Sequence, residues 1–247
     1  MDPAAASLAP PRRAYRHRWP TRVWHWANLI VVTIMLMSGL MILNAHPRLY
    51  WGHYGANADH AWLVIGGGRF PALPGWMTIP SYYSLSAARI WHFAFAWLLV
   101  PLLIGYLLWS LLGGHLRRDL WLSRDERRAS ALWHDLREHA ALRFPKGEAA
   151  LRYNLLQKLL YGLVLLVLLP LMVASGLAMA PAMDAAWPWL VDLLGGRQSA
   201  RSLHFIAAMG LVSFTLIHLL AVLLAGPWNH VRAMLTGWFA VPQENGT

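Results

Sequence analysis

Four stretches of this chain are long and apolar enough to cross a bilayer as helices: about residues 23–43, 88–112, 157–180 and 202–225. None of them contains Asp or Glu. With 57% hydrophobic and 13% charged residues among 247, the composition is that of a membrane protein rather than a soluble one. The apolar run after Arg22 is too long for a cleavable signal peptide and lacks a small-residue cleavage site. The chain has no cysteine. Disulfides, iron–sulfur ligation and covalent c-type haem attachment within it are thereby excluded.

The net charge of +10 raises the question of nucleic acid, and its distribution answers it. Arg12, Arg13, Arg16, Arg18 and Arg22 precede the first span, and nine Lys or Arg lie between Arg117 and Arg152. Lys158 and Arg232 fall on the same side, whereas the opposite side holds only Arg48, Arg69, Arg89, Arg197 and Arg201. The positive-inside rule therefore puts both termini and the loop between spans two and three in the cytoplasm. The basic excess is a topology signal and a contact for anionic lipid, not a nucleic-acid footprint.

The expected architecture is an all-α integral membrane bundle of four helices, multi-pass. Residues 1–21 read as a loose cytoplasmic tail, 22–237 as the membrane domain and 238–247 as a C-terminal tail. A cytoplasmic amphipathic helix is expected over Ala129–Phe144, and kinks at Pro101 and Pro170. The outer connections are 44–87 and 181–200. The first is rich in Trp, Tyr, Gly and Pro and low in charge, so it should pack or dock. Met37-Ser-Gly-Leu in span one is echoed by Ala174-Ser-Gly-Leu in span three, too weakly to make a repeat.

Arg-x-x-His occurs at three helix mouths: Arg22/His25, Arg89/His92 and Arg201/His204. His218 follows His204 by 14 residues in the same span. Ionisable groups inside a membrane mark function. On a helix, Arg at i and His at i+3 share a face. A neutral imidazole can ligate haem iron while the guanidinium one turn away forks onto a propionate. Alternation of span direction puts His92 and His204 near the outer surface and His25 near the inner one. His218 lies about 21 Å deeper than His204 and on the same face. Two b haems follow: an outer one on His92/His204 and an inner one on His25/His218, with Arg22, Arg89 and Arg201 at propionates. The plain alternative is a set of core histidines bonded to backbone. Gly39, 14 residues after His25, either clears a haem ring or packs helix on helix.

The other eight histidines fall outside the spans. His46, His53 and His60 repeat every seven residues in a loop without helical pattern, and read as surface or docking residues. Tyr153, Asn154, Gln157 and Lys158 open span three at the depth of the inner pair and offer donors to a quinone carbonyl. The alternative there is an ordinary helix start with a snorkelling lysine.

On these residues the chain resembles the bacterial di-haem cytochrome b subunits of the b561/Ni-Fe-hydrogenase type, including the formate dehydrogenase gamma subunit and the thiosulfate-reductase-type cytochrome b. The resemblance covers about residues 16–237. It rests on His25, His92, the His204/His218 pair, Arg152-Tyr-Asn-x-x-Gln-Lys158 and Arg232-Ala-Met-Leu-Thr-Gly. It implies two stacked b haems and a quinone, ubiquinone or menaquinone, at the cytoplasmic end beside Asn154, Gln157 and His218. It also implies a periplasmic redox subunit as partner, such as a molybdenum oxidoreductase, which would dock on loops 44–87 and 181–200. The longer 44–87 loop departs from the formate-dehydrogenase type. The chain is then a relay between that enzyme and the quinone pool, in a direction its sequence does not encode. Two rivals stand beside this: a haem-bearing anchor without a quinone site, and a transporter, which the nearly apolar spans disfavour.

Overall fold

The computed structural model describes residues 12–66, 72–143, 145 and 147–241. Arg69, Phe144 and Lys146 lie outside the described residues, as do the two ends of the chain. In chain order the main elements are β1 (Arg13–Tyr15), α1 (Trp19–Ala45), β2 (Arg48–Leu49), β3 (Leu63–Val64), α2 (Leu85–Leu112), α3 (Ala129–Ala140), α4 (Leu155–Leu163), α5 (Leu169–Met179), α6 (Pro181–Ala186), α7 (Pro188–Leu193), α8 (Arg197–Leu224), α9 (Pro227–Thr236) and β4 (Trp238–Ala240). Four helical stretches are long and apolar enough to cross a membrane: Trp19–Ala45, Leu85–Leu112, Glu148–Met179 and Arg197–Leu224. Each begins before the apolar run that announced it. Hydropathy marks what lipid demands, whereas the hydrogen-bond ladder continues into interfacial residues.

Exposed apolar side chains coat these helices: Trp97, Ile104 and Leu112 on α2, and Leu216, Leu220 and Leu223 on α8. A helix apolar all round with its large side chains outward suits lipid. Hydroxyls in the spans bond back one turn, as the exposed Thr33 does to the Leu29 carbonyl at 2.6 Å and the buried Ser38 to the Ile34 carbonyl at 2.8 Å. Pro101 stays inside one continuous α2. Ahead of Pro170 the backbone instead widens into a π segment, Val164–Leu168, joining α4 to α5. Pro170 has no N–H to give to a carbonyl one turn back, and a π register is one way the ladder absorbs that gap.

The described chain divides into two compact units. The first comprises Met1–Trp24, Leu108–Gly162 and Thr215–Thr247. Within it β1 pairs antiparallel with β4, Arg13 opposite Ala240 and Tyr15 opposite Trp238. The segments read as loose tails therefore meet as strands from about residue 12 and up to 241. The Arg12 carbonyl accepts from Val241 N–H at 2.9 Å, and the Gly237 carbonyl accepts from Arg16 N–H at 2.8 Å. Gly237 holds φ +89°, and a side chain there would collide with the Tyr15 ring, so the turn needs glycine. The amphipathic helix α3 stops at Ala140, short of the expected Phe144. Leu142 turns left-handed at φ 56°, and Arg143 N–H reaches back to the Glu138 carbonyl at 2.9 Å, which closes the helix end.

The second unit comprises His25–Leu107 and Leu163–Phe214. Its long connection 44–87 packs rather than floats. β2 and β3 form a short hairpin, Leu49 opposite Leu63. Trp62 Nε1 donates to Ser202 Oγ at 2.8 Å, and Ser202 Oγ donates to the Tyr50 carbonyl at 2.6 Å. The Gly52 carbonyl accepts from Gln198 and Ser199 N–H at the start of α8. Above this anchored base the aromatic tips stay exposed, Tyr54 at 90% and Trp76 at 79%.

Candidate functional site

Within the second unit, α2 presents His92 and α8 presents His204. Their ring centroids lie 6.2 Å apart, with planes inclined at 64°. Two metal–imidazole bonds of roughly 2 Å and two ring radii of roughly 1.1 Å give about 6 Å between centroids when two imidazoles share one metal. The spacing therefore fits a bis-imidazole iron site.

The nitrogens are sorted by hydrogen bonds. His92 Nδ1 lies 3.1 Å from Ser38 Oγ and 3.1 Å from the Met35 carbonyl. Ser38 Oγ already donates to the Ile34 carbonyl at 2.8 Å, so it faces His92 as an acceptor. That assigns the proton to Nδ1 and leaves Nε2 as the nitrogen for a metal. His204 repeats this arrangement. Its Nδ1 lies 3.0 Å from Ser175 Oγ and also bonds the Met172 carbonyl. Ser175 Oγ donates to the Leu171 carbonyl at 2.5 Å. Both serines are fully buried.

The residues responsible read Met35-x-x-Ser38-Gly39-Leu40 in α1 and Met172-x-x-Ser175-Gly176-Leu177 in α5. The echo that looked too weak to be a repeat is thus the same device used twice, once for each histidine. In each copy the Met carbonyl and the Ser hydroxyl, three residues apart, lie on one helix face and hold Nδ1. The glycine makes room for the ring. A Cβ at Gly39 would stand 3.4 Å from His92 Cε1, and one at Gly176 3.5 Å from His204 Cε1. Gly39 therefore lies against the His92 ring, and Gly176, which was not singled out from the sequence, lies likewise against that of His204.

Arg89 and Arg201 gather at the helix mouths above this pair. Arg201 donates from Nη2 to the His46 carbonyl. The Arg89 guanidinium lies 5.6 Å from the Phe93 ring centroid. Burial first, then the charges of Arg201 and Arg89, hold the His46 imidazole below its ordinary pKa. His46 is exposed, as its reading as a surface residue expects, and two cations stand near it. Tyr50 joins them: its buried hydroxyl has no hydrogen-bond partner among the described residues, and its phenol acts on the Arg201 charge. Two guanidiniums and a phenol suit carboxylates of the kind haem carries.

The remaining sequence-derived residues fall out as follows. His25 sits on α1 with its ring edge-on to Trp26 at 5.1 Å. In the first unit, His218 stands edge-on to Tyr161 at 6.4 Å, and Tyr161 edge-on to Tyr153 at 5.5 Å. Asn154 and Gln157 form a reciprocal cap on α4. Asn154 Oδ1 accepts from Gln157 N–H at 2.8 Å, and Gln157 Oε1 accepts from Asn154 N–H at 3.3 Å. Asn154 Nδ2 also lies 3.1 Å from His139 Nε2 on α3. Lys158 does not snorkel but donates to both Glu126 oxygens, at 2.8 and 3.0 Å. Arg22 turns away from the helix interior and donates to the Met234 and Leu235 carbonyls at the end of α9.

The profile of the prokaryotic cytochrome b561 family matches residues 16–237. A putative protein-methionine-sulfoxide reductase subunit YedZ1 of Azospira oryzae is 31% identical over 205 residues, 82% of this chain and 87% of the relative. Probable Ni/Fe-hydrogenase B-type cytochrome subunits of Azotobacter chroococcum and Cupriavidus necator are 24% and 22% identical, over 91% and 95% of this chain and 87% and 90% of theirs. No solved structure matches the chain.

Proposed function

The chain belongs to the prokaryotic cytochrome b561 family, multi-pass membrane proteins that carry electrons on b-type haem, and from that premise we propose that it is a di-haem relay between a periplasmic redox enzyme and the quinone pool of a bacterial inner membrane. The observation that carries this reading is the 6.2 Å approach of His92 and His204, each with Nδ1 engaged. Haem bound at such sites supplies one-electron chemistry.

In this reading His92 and His204 ligate the outer haem, and Arg89 and Arg201 neutralise its propionates. His25 and His218 ligate the inner one. The basic 117–152 segment and both termini face the cytoplasm. A redox subunit docks on loops 44–87 and 181–200, whose exposed Tyr54, Trp76, Trp187 and Trp189 with little charge resemble an interface core. The likeness to subunits of a methionine-sulfoxide reductase and of Ni/Fe-hydrogenases supports a redox enzyme in that place; a periplasmic one, such as a molybdenum oxidoreductase, is our reading from the family resemblance.

Quinone exchanges at the cytoplasmic end, beside Tyr153, Asn154, Gln157 and Lys158. Asn154, Gln157 and Lys158 already bond within the chain, and Tyr153, edge-on to Tyr161, adds a hydroxyl on the same segment. Those closed bonds also favour a second reading, a haem-bearing anchor that takes electrons from another membrane protein. Mixing the purified protein with a quinol analogue separates the two. Rapid haem reduction, blocked by a quinone-site inhibitor and slowed in Tyr153→Phe, supports the relay. No reduction by quinol leaves the anchor.

A further inference from the structure

Arg16 lies in a segment that composition marks as tail, yet it is one of the most constrained cations in the chain. Its backbone is pinned at the end of β1, where its N–H and that of His17 both meet the Gly237 carbonyl. Its guanidinium carbon stands 4.7 Å above the ring of Phe239, itself only 3% exposed. Its Nε and Nη1 are buried and have no hydrogen-bond partner among the described residues. Tyr153 and Tyr161 lie near enough to act on its charge, and its own charge reaches His230. Tyr161 is in turn the ring packed edge-on against His218.

A buried guanidinium needs an anion. No acidic side chain described in this unit is paired with Arg16. Asp119 bonds His115 and Arg118, and Glu126 bonds Lys158. Asp125 pairs with Arg128, and Glu138 with Arg143. Asp135 caps Leu156 N–H and pairs with His139, and Glu148 pairs with Arg12. The anion must come from outside the described protein. The Arg-x-x-His spacing pointed to Arg22 for this end of the chain, but Arg22 is engaged on α9 carbonyls.

We propose that Arg16 pairs with a propionate carboxylate of the haem that His218 ligates, in the role that spacing alone assigned to Arg22. The assignment rests on the di-haem reading given above. Phe239 lies under the guanidinium, whose buried Nε and Nη1 each keep an N–H to give to the carboxylate. The β1–β4 pairing is what holds Arg16 there, so both ends of the chain serve the same cofactor.

The test is an optical redox titration of the purified haem-loaded protein in a His92→Ala background, which leaves the His218 haem to be read alone. Arg16→Gln removes a positive charge that favours the more negative reduced state. The expected result is a tenfold weaker reduction equilibrium, a fall of about 59 mV for a one-electron couple, with Arg22→Gln near the parent value. An unchanged midpoint in Arg16→Gln overturns the assignment and leaves a lipid phosphate as the anion; a fall in Arg22→Gln alone returns the role to Arg22. If Arg16→Gln does not retain haem, Arg16→Lys decides, since it keeps the charge: retained haem at a near-parental midpoint supports the proposal, and retained haem whose midpoint falls by the full amount although the charge is kept refutes it. A parent protein without b haem sinks the functional reading as well, and its haemochrome shows this before any variant is made.

Discussion

Replacing Ser38 or Ser175 by alanine isolates one hydrogen bond at the His92/His204 site. Each serine hydroxyl accepts from a histidine Nδ1 at 3.1 or 3.0 Å while donating to its own helix. Accepting that proton makes the imidazole a stronger donor to the metal, which favours the oxidised state. The alanine variants therefore raise the midpoint potential. The Met35 and Met172 carbonyls still satisfy Nδ1, so no buried donor is orphaned and the haem is retained. A neutral hydrogen bond is worth about 1 kcal/mol net. It is present in both oxidation states, so roughly a third to a half of that moves the potential, a rise of about 15–20 mV. In the proposed reading both copies of the device act on one haem, so the double variant should rise by about twice as much. Serine to threonine keeps the oxygen and should restore the parental value. Ser110→Ala, a buried serine in the other unit, should leave this haem unmoved. Redox titration followed at the α band reads all of these. A fall in potential, or a shift confined to the other haem, would refute the reasoning.

At Gly39 and Gly176 an added methyl meets the histidine ring at ordinary contact distance. Alanine at either position should keep the His92/His204 haem, whereas Gly39→Val or Gly176→Val should displace the ring and lose it, counted by haemochrome. Arg89→Gln or Arg201→Gln should lower the midpoint of that same haem without releasing it, and unchanged titrations in both would make them merely interfacial cations. On Glu126, burial pushes the carboxyl up, but hydrogen bonds from Lys158 and Ser123 outweigh it and hold it below its ordinary 4.5. A depressed folded-state value stabilises the fold above pH 4.5 and loses that contribution as pH falls through the folded value. Thermal melts of Glu126→Gln should therefore depend less on pH below about 4.5 than the parent; parallel curves would count against a structural role for the pair.

The spans, and the meeting of His92 with His204, were legible because both follow from period and direction: apolar runs of bilayer length, and helices that alternate in sense. What was illegible depends on contacts distant in sequence. The Ser-Gly echo carries no signal until α1 and α5 are seen holding a histidine each. Arg16 looked like one more topology arginine, since its burial comes from pairing residues 13–15 with 238–240, which no local pattern announces. Asn154 and Gln157 are ambiguous in another way. Their residue types suit a quinone carbonyl, yet the same amides at Asn-x-x-Gln spacing also close a helix N-terminus, and only the structure shows that they do so here.

The central claim is that four histidines hold two b haems in this one chain. Pyridine haemochrome of the purified protein measures it directly, in the parent and in the four single His→Ala variants. The account predicts two haems per parent chain and one in each variant, with His92→Ala and His204→Ala losing the same spectral species and His25→Ala and His218→Ala losing the other. A parent with no b haem, or His25→Ala and His92→Ala removing the same species while sparing the second, would contradict it.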